Sequence, residues 1–394
     1  MPALTRRTAL LGLTAAITLG RASLAVATAP TDRRFVVVIL RGALDGLAAV
    51  TPYGDPALAG LRGDILLPSP GEPGGVLDLG GFYGLHPELA GLHAMYQAGE
   101  LLPVHAVAGS WRSRSHFDAQ DCLESGADHR LTSGWLNRAI VALPSRAGAA
   151  AGEALAVGVS VPLLLRGPAP VANWAPESFA APQPDLYATI AAVNRTDPAT
   201  GPAIAEGLRE RGFSAEVLAG TAPPHDKFAF PTLAAAAGRM LAAADGPRIA
   251  ALEIGGWDTH ADQKARLAQP LRQLDAGLVA LKDGLGAAWR QTAVLVMTEF
   301  GRTARANGTK GTDHGTGTVA FVLGGSVMGG RVIADWPGLA AGKLLDARDL
   351  QPTTDLRAIA KGLLARHLGL SAPALAAVFP ASERAQASRG LLRA

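Results

Sequence analysis

The stretch Arg34-Phe-Val-Val-Val-Ile-Leu40 decides the fold class. It is a continuous apolar run, rich in β-branched residues, that ends at Arg41-Gly42. A strand with one exposed face alternates apolar and polar residues, whereas a strand that is buried on both faces does not. The stretch therefore predicts a strand in the interior of a sheet that is covered on both faces.

Further apolar runs of the same kind follow along the chain, with helix-like segments between them. The runs are Leu102–Ala108, Arg248–Ile254, Thr292–Met297 and Gly317–Leu323. The segments with Ala and Leu at helical spacing are His86–Gln97, Phe230–Ala243 and Gln263–Leu285. Buried strands that alternate with amphipathic helices are typical of α/β proteins. We expect a mostly parallel central sheet with helices on both faces.

Composition and length limit the remaining organisation. The chain has 394 residues, 48% of them hydrophobic, and residues 147–224 are rich in Ala, Pro and Gly with weak periodicity. We expect a single domain over residues 28–394, with an irregular insertion at about 147–224. A capped helix is predicted over Pro352–Leu370, and residues after Ala381 are predicted to be a loosely attached end. The net charge of +3 is spread without a basic run, which argues against nucleic acid as a partner.

The first 27 residues have the features of a secretory signal. Arg6 and Arg7 precede an apolar run from Ala9 to Leu19, and Ala25-Val-Ala27 fits a cleavage site. The paired arginines are typical of the twin-arginine export machinery, which we therefore expect as a partner. The alternative is a membrane anchor, but the run is shorter than the roughly 20 residues needed to span a bilayer. We expect a periplasmic or secreted protein without a permanent membrane span.

Cys122 is the only cysteine in the sequence. An intrachain disulfide and a cysteine-based zinc cluster are therefore excluded. The neighbouring residues supply neither an adjacent base nor a glycine elbow for a nucleophilic thiol. We interpret Cys122 as a packed, apolar side chain.

Polar clusters follow the predicted strands at their carboxyl ends, where open α/β sheets bind ligands. The first strand leads to Asp45, which lies between Gly42 and Gly46. Its carboxylate could ligate a metal ion or simply cap a helix. The second leads to Ser113-Arg-Ser-His116, then Asp118. Hydroxyl, guanidinium and imidazole groups in one loop could supply a nucleophile, an anion clamp and a base. The alternative is a polar loop in which serine caps a helix.

The third and fourth strands lead to pairs of histidine and carboxylate. Asp258 and His260 follow Gly255-Gly256, and an Asp-x-His turn can direct both side chains to one ion. Glu299 would be costly to bury unless a metal ion or Arg302 neutralises it. The loop continues to Asp313-His314, the second histidine–carboxylate cluster. Asp45, Asp258, His260, Glu299, Asp313 and His314 are thus the candidate ligands of a divalent metal ion.

These motifs resemble those of the exported bacterial family catalogued as domain of unknown function 1501. The matching stretches are Leu40-Arg-Gly-Ala-Leu-Asp-Gly46, Ser113-Arg-Ser-His-Phe-Asp-Ala-Gln-Asp121, Gly255-Gly-Trp-Asp-Thr-His260, Glu299-Phe-Gly-Arg-Thr303 and Gly311-Thr-Asp-His-Gly315. The family is similar to the alkaline phosphatase and sulfatase superfamily. That resemblance implies an alkaline-phosphatase-like sheet with a divalent-metal centre at its carboxyl edge, and a nucleophile in the loop from Ser113 to His116. Zinc, magnesium, manganese and calcium are all possible.

Three departures from the superfamily pattern stand out. Its Asp and His ligands are usually spaced more widely than Asp258-x-His260, and a later strand usually ends in Asp-His, where this chain has Glu299-Phe300. The sulfatase signature, a Cys or Ser followed by x-Pro-x-Arg, fits neither Cys122 nor Ser115.

The leading hypothesis is a metal-dependent hydrolase of a small anionic substrate, a phosphate or related ester. Ser115 is the preferred nucleophile and Ser113 the substitute, with Arg114 on the anion and His116 as general acid/base or an extra ligand. One alternative is a non-catalytic exported protein that keeps the fold and binds a ligand or a surface polymer. Another is a metal-free hydrolase that uses Ser115, His116 and Asp118.

Overall fold

The structure is a computed structural model that describes residues 32–143, 153–176, 193, 201–218, 226 and 229–393. The predicted signal at residues 1–27 lies outside the described residues, as does much of the predicted insertion at about 147–224. Two described segments of that insertion form short strands, which join the central sheet.

The described strands are β1 (Arg34–Arg41), β2 (Val50–Thr51), β3 (Leu77–Asp78), β4 (Gly84–Leu85), β5 (Leu101–Ala108), β6 (Ala154–Val157), β7 (Ala172–Trp174), β8 (Ile249–Gly255), β9 (Thr292–Thr298), β10 (Thr318–Leu323) and β11 (Thr354–Asp355). The described helices are α1 (Gly46–Ala49), α2 (Leu58–Arg62), α3 (Ala90–Gln97), α4 (His116–Ser125), α5 (Trp135–Val141), α6 (Gly201–Val217), α7 (Phe230–Ala242), α8 (Gln263–Leu285), α9 (Leu356–His367) and α10 (Ala372–Val378).

Within the described residues, the central sheet has eight strands in the order β11-β5-β10-β9-β1-β8-β6-β7. Strand β1 lies in its interior and pairs in parallel with β8 on one side and β9 on the other. A small second sheet contains β2, β4 and β3. The prediction of a mostly parallel central sheet is confirmed.

Strand β10 is the antiparallel member among the described strands of the central sheet, since it runs opposite to both β5 and β9. Strand β9 ends at Thr298 and β10 begins at Thr318, so both strand ends lie at the same edge of the sheet. The connecting loop therefore starts and finishes at the edge where β1, β5 and β8 also end. This topology keeps Glu299 and His314 beside the ends of three parallel strands.

The two faces of the sheet are covered by separate clusters of buried side chains. Val36, Val38 and Leu40 of β1 belong to one cluster, while the alternate residues Phe35, Val37 and Ile39 belong to the other. Helices α7 and α8 pack with the first cluster, and α5 and α9 with the second. Burial on both faces explains why β1 has no alternation of polar and apolar residues.

The C-terminal segment differs from the prediction of a loosely attached end. Leu391 is buried, and the buried Lys361 of α9 donates hydrogen bonds from Nζ to the carbonyl oxygens of Ser382 and Ala385. The segment is held because its carbonyl groups satisfy a buried ammonium group, a contact that its polar composition does not reveal. None of the helices in the described part of the chain combines the length and apolar character that a membrane crossing requires.

Candidate metal centre

Three side chains from distant parts of the chain direct ligand atoms at one another beyond the carboxyl ends of the strands. They are His116 at the start of α4, Asp258 just after β8, and His314 in the loop before β10, and their ligand atoms all lie within 4.8 Å of one another. His116 Nε2 is 3.0 Å from His314 Nε2, and His314 Nε2 is 3.1 Å from Asp258 Oδ1. In a tetrahedral zinc site, bond lengths of about 2.0–2.1 Å separate the ligand atoms by about 3.3 Å. The observed spacing fits a site of this size.

His260 adds a third imidazole to this group. Its Nε2 lies 3.1 Å from His314 Nε2 and 3.0 Å from Asp258 Oδ1. The turn after β8 thus contributes both residues of the Asp-x-His pattern to the same cluster. We call His116, Asp258, His260 and His314 the histidine cluster.

Each histidine of this cluster is fixed from behind by an oxygen atom. Nδ1 of His116 contacts Glu299 Oε1 at 2.7 Å, Nδ1 of His260 contacts Asp313 Oδ1 at 3.2 Å, and Nδ1 of His314 contacts the carbonyl oxygen of Arg114 at 2.9 Å. A carbonyl or an ionised carboxylate can only accept a hydrogen bond, so Nδ1 must donate in each case. With Nδ1 as the donor, Nε2 of His116 and Nε2 of His260 both face Nε2 of His314, at 3.0 and 3.1 Å.

Converging lone pairs repel unless a cation or protons lie between them. An oxygen acceptor behind each metal-binding imidazole is the usual arrangement around metal ions in proteins, because it fixes the tautomer and the ring orientation. The donor chemistry of the histidine cluster therefore fits a metal ion, and the described residues can hold one.

Glu299 and Asp313, which the sequence suggested as ligands, lie behind the histidines rather than among the converging atoms. Glu299 is buried at the end of β9 and accepts hydrogen bonds from His116, from Gly42 N at 2.9 Å and from Gln120 Nε2 at 3.0 Å. Burial alone would raise the pKa of Glu299, but the hydrogen bonds from His116 and Gln120 outweigh it, and the pKa is lowered. The hydrogen bond to Glu299 in turn raises the pKa of His116.

Arg302 neutralises Asp258 rather than Glu299. Its guanidinium group is fully buried and donates to Asp258 Oδ1, and also to the hydroxyl and carbonyl oxygens of Thr312. Partial burial would raise the pKa of Asp258, whereas the hydrogen bond and charge of Arg302 lower it to below its ordinary value. Asp258 is therefore held as an ionised carboxylate, the form that binds a metal ion.

Asp45 does not join the histidine cluster, and the helix-capping alternative describes it better than the ligand prediction. Its Oδ1 accepts from Leu47 N and caps α1, while Arg62 donates to both carboxylate oxygens. Gln263 Nε2 donates to Oδ2 at 2.6 Å. With Arg62 buried beside it, the carboxylate neutralises a cation from α2, so its oxygens have no free direction toward a metal ion.

A hydrogen-bonded path nevertheless links Asp45 to the cluster. Gln263 Oε1 accepts from Thr312 Oγ1 at 2.6 Å, and Thr312 Oγ1 accepts from Arg302 Nε at 3.2 Å. Arg302 then contacts Asp258. Asp45 thus belongs to the buried polar network that supports the histidine cluster.

Arg114 does not present a free guanidinium group as an anion clamp. Its Nε and Nη2 donate to the fully buried Asp349, at 3.2 and 2.8 Å, and Nη2 lies 3.4 Å from Asp346. These carboxylates raise the pKa of Arg114, and the largest cause is the hydrogen bond that Arg114 donates to Asp349. The contribution of Arg114 to the cluster is its backbone carbonyl, which holds His314.

Ser115 is flanked in sequence by two residues of the site. The carbonyl oxygen of Arg114 contacts His314, and the imidazole of His116 belongs to the histidine cluster. It is the N-cap residue of α4, but its hydroxyl makes no capping hydrogen bond. Ser113 is exposed on the same loop. Asp118 is exposed in the first turn of α4, and the carboxylate behind His116 is Glu299, so the triad of Ser115, His116 and Asp118 does not form.

Supporting residues that the sequence analysis missed occupy positions with no motif of their own. Gln120 lies one helical turn after His116, and Arg41 Nη1 donates to its Oε1 at 3.0 Å. Arg41 also pairs with Glu124 and Glu253. The i, i+4 spacing of His116 and Gln120 on a helix was the available signal, since such residues share a face.

The loop from Glu299 to Gly317 folds back on itself beside the cluster. Thr303 N donates to Asp313 O at 2.9 Å and Gly315 N donates to Gly301 O at 2.8 Å. A Cβ atom on Gly315 would lie 2.4 Å from the backbone of Arg302, so this close approach requires glycine.

The comparisons with known proteins establish the family. The sequence matches the family described as "Protein of unknown function (DUF1501)" over residues 90–379. The chain belongs to this family. The family motifs Ser113–Asp121, Gly255–His260, Glu299–Thr303 and Gly311–Gly315 all fall within the matched range, and they carry the histidine cluster and its supporting acids.

Solved structures give more distant similarity. A protein in the alkaline phosphatase superfamily from Vibrio parahaemolyticus is 12% identical, with a TM-score of 0.33 over 81% of this chain and 70% of the other. A phosphonate monoester hydrolase of Agrobacterium radiobacter is 11% identical, with a TM-score of 0.33 over 77% of this chain and 70% of the other. Among curated proteins, none matches the sequence.

Proposed function

We propose that the chain is an exported metal-dependent hydrolase that acts on phosphate or related esters. One observation carries the proposal: ligand atoms of His116, Asp258 and His314 converge at the carboxyl edge of the sheet. His260 Nε2 lies 3.1 Å from His314 Nε2, and each of the three rings is fixed from behind by an oxygen atom. Open α/β sheets bind ligands at this edge, and a metal site open to solvent there can admit a substrate. His260 and Asp258 are about half exposed, so the cluster is accessible.

The donor set narrows the choice of metal ion. Three imidazoles and one carboxylate favour zinc or a similar borderline ion, whereas magnesium and calcium prefer a shell of oxygen atoms. His116, Asp258 and His314 would hold the ion, with His260 as the fourth side chain. A divalent cation there would polarise the ester and lower the pKa of a nucleophilic hydroxyl or water.

Ser115 is the proposed nucleophile, with Ser113 as the substitute. A serine at an N-cap usually accepts a backbone hydrogen bond, but the hydroxyl of Ser115 makes no such capping bond and so is not engaged at the helix end. Its position beside His116 keeps it next to the cluster. His116 itself has Nδ1 on Glu299 and Nε2 within the cluster, so its geometry supports the role of a ligand rather than that of a general acid/base.

Export through the twin-arginine machinery is proposed from the N-terminal sequence alone. Arg6, Arg7 and the short apolar run support it, and the mature protein would act in the periplasm or outside the cell.

Metal content and ester hydrolysis test the proposal together. Purified mature protein is expected to contain stoichiometric zinc and to hydrolyse an aryl phosphate or aryl phosphonate until a chelator removes the metal. The Asp258→Ala/His260→Ala variant is expected to lose the metal, whereas His129→Ala/Asp128→Ala, which changes the same residue types at exposed positions, is expected to keep it. Ser115→Ala is expected to keep the metal and lose turnover.

The alternative functions give different results in the same assays. Full metal retention in the Asp258→Ala/His260→Ala variant would overturn the assignment of the cluster. Bound metal without hydrolysis of any ester would point to the non-catalytic ligand-binding protein. Activity that survives complete removal of the metal would point to a metal-free hydrolase.

A further inference from the structure

A groove of about 460 Å³ opens beside the histidine cluster. Asp313, the acceptor behind His260, forms part of its wall, and Arg305, Asn307 and Arg348 line it as well. The groove and the cluster thus share a wall. A substrate that reacts at the cluster would reach the groove past Asp313, whose Oδ1 lies 3.2 Å from His260 Nδ1.

The two arginines in the groove are incompletely neutralised. Arg348 reaches Asp349 at 3.4 Å, but that single carboxylate also accepts two hydrogen bonds from Arg114 at shorter distances. Arg305 is exposed and donates to the carbonyl oxygen of Gly60, and among the described residues it forms no ion pair. Asp313 is the acidic residue that lines the groove, and its Oδ1 already accepts from His260 and Asn307.

The backbone immediately before Arg348 has an unusual conformation. Asp346 and Ala347, which precede it, both have positive φ values, 53° and 54°. A non-glycine residue in this region is uncommon, and two in succession are strained. The strain is concentrated in the turn that brings Arg348 to the wall of the groove.

We propose that this groove binds a second anionic group of the substrate, so that the preferred ester carries a carboxylate, sulfate or phosphate some distance from the reacting group. The inference rests on the proposed function, since it assumes that a substrate binds at the histidine cluster. Arg305 and Arg348 are the specificity residues, because a guanidinium group binds oxyanions through charge-assisted hydrogen bonds. Arg114, bound to Asp349, does not serve this purpose.

Alkylphosphonates test the inference with zinc-loaded mature protein. A series of graded length that ends in a carboxylate is compared, by calorimetry, with methyl-terminated analogues of equal length. At the length that reaches the groove, the carboxylate is expected to tighten binding about tenfold. Arg305→Gln/Arg348→Gln is expected to abolish this advantage, while Arg290→Gln/Arg384→Gln, which removes the same charge from exposed positions elsewhere, is expected to retain it.

Zinc content and unfolding temperature are measured on every variant. Arg305→Gln alone, at an exposed residue, provides the test if the double variant does not fold. The inference is overturned if no length shows the advantage, or if the advantage persists in the groove variants. If the protein binds zinc and binds carboxylate- and methyl-terminated phosphonates equally well, only the groove inference is refuted. If it binds neither zinc nor phosphonate, both the proposed function and the groove inference are refuted.

Discussion

The role of each carboxylate around the histidine cluster depends on whether it faces Nδ1 or Nε2 of an imidazole ring. Glu299 faces Nδ1 of His116, so it orients the ring and makes Nε2 more basic. We expect Glu299→Gln to weaken zinc binding by about 10- to 100-fold while the fold is retained. Competition with a zinc-sensitive dye measures the affinity, and Glu88→Gln, at a partly exposed ion pair, is the matched control. Equal affinities in the two variants would contradict the assignment.

Asp45 makes a separate prediction about stability. Asp45→Asn would leave the buried Arg62 without its carboxylate, at a cost of about 3–5 kcal/mol in the free energy of unfolding. Burial would raise the pKa of Asp45, but Arg62 and Gln263 outweigh it and lower the pKa to below the ordinary value of 3.8. A depressed pKa in the folded state gives stability that is fully present above pH 3.8 and is lost as the pH falls through the folded pKa.

Urea unfolding of the wild type and of Asp45→Asn as a function of pH measures this contribution. The difference in stability is expected to be constant from pH 7 to about pH 4 and to shrink below that. A difference that grows on acidification would show that the ion pair is not its source.

Cys122 is expected to be unreactive in the folded protein. The thiol is buried on α4, and burial raises its pKa to about 11, so the thiolate fraction at pH 8 is small. A disulfide-exchange reagent should label the native protein slowly and the urea-unfolded protein with one equivalent. Rapid labelling of the native protein would contradict this expectation and indicate that Cys122 is a reactive nucleophile.

At the scale of secondary-structure elements, the loop between β9 and β10 positions His314 through close packing of its backbone rather than through large side chains. We expect Gly315→Ala to cost about 1–3 kcal/mol in stability, because its Cβ would overlap the backbone of Arg302, and to weaken zinc binding through displacement of the neighbouring His314. Gly308→Ala in the same loop is the control, since no atom lies within 4 Å of a Cβ there. Unfolding and zinc titration on both variants measure the difference. Equal zinc affinities in the two would show that the loop does not hold His314 in place.

The same loop shows what sequence reasoning could and could not predict. The strand predicted over Thr292–Met297 is evident because a run buried on both faces has a distinctive composition, and the structure extends it by one residue to Thr298. The direction of β10 could not be predicted, because a buried strand has the same composition whether it runs parallel or antiparallel to its neighbours. Likewise Glu299 could be recognised as a buried functional acid, but its place behind His116 depends on a ring orientation that no spacing encodes.

For the whole molecule, metal binding is expected to be coupled to stability. The cluster joins α4, the turn after β8 and the loop before β10, so an ion bound there crosslinks three segments of the chain. Ligand at about 100 times its dissociation constant stabilises a folded protein by about 2.7 kcal/mol. We expect chelation to lower Tm by several degrees in the wild type and by much less in Asp258→Ala/His260→Ala. Calorimetric scans with and without chelator provide the measurement, and identical shifts would exclude the cluster as the site of the ion.

The separation of His116 and His314 by 198 residues has a consequence for biogenesis. Contacts between residues so far apart in sequence form late in folding, since the loops between them must first be closed. In the proposed metal site, the ligands would come together only once the chain beyond His314 has folded, so capture of the ion would follow completion of the central sheet. Under the proposed twin-arginine export, which carries folded cargo, the protein would take its metal from the cytoplasmic pool before translocation rather than from the compartment in which it works.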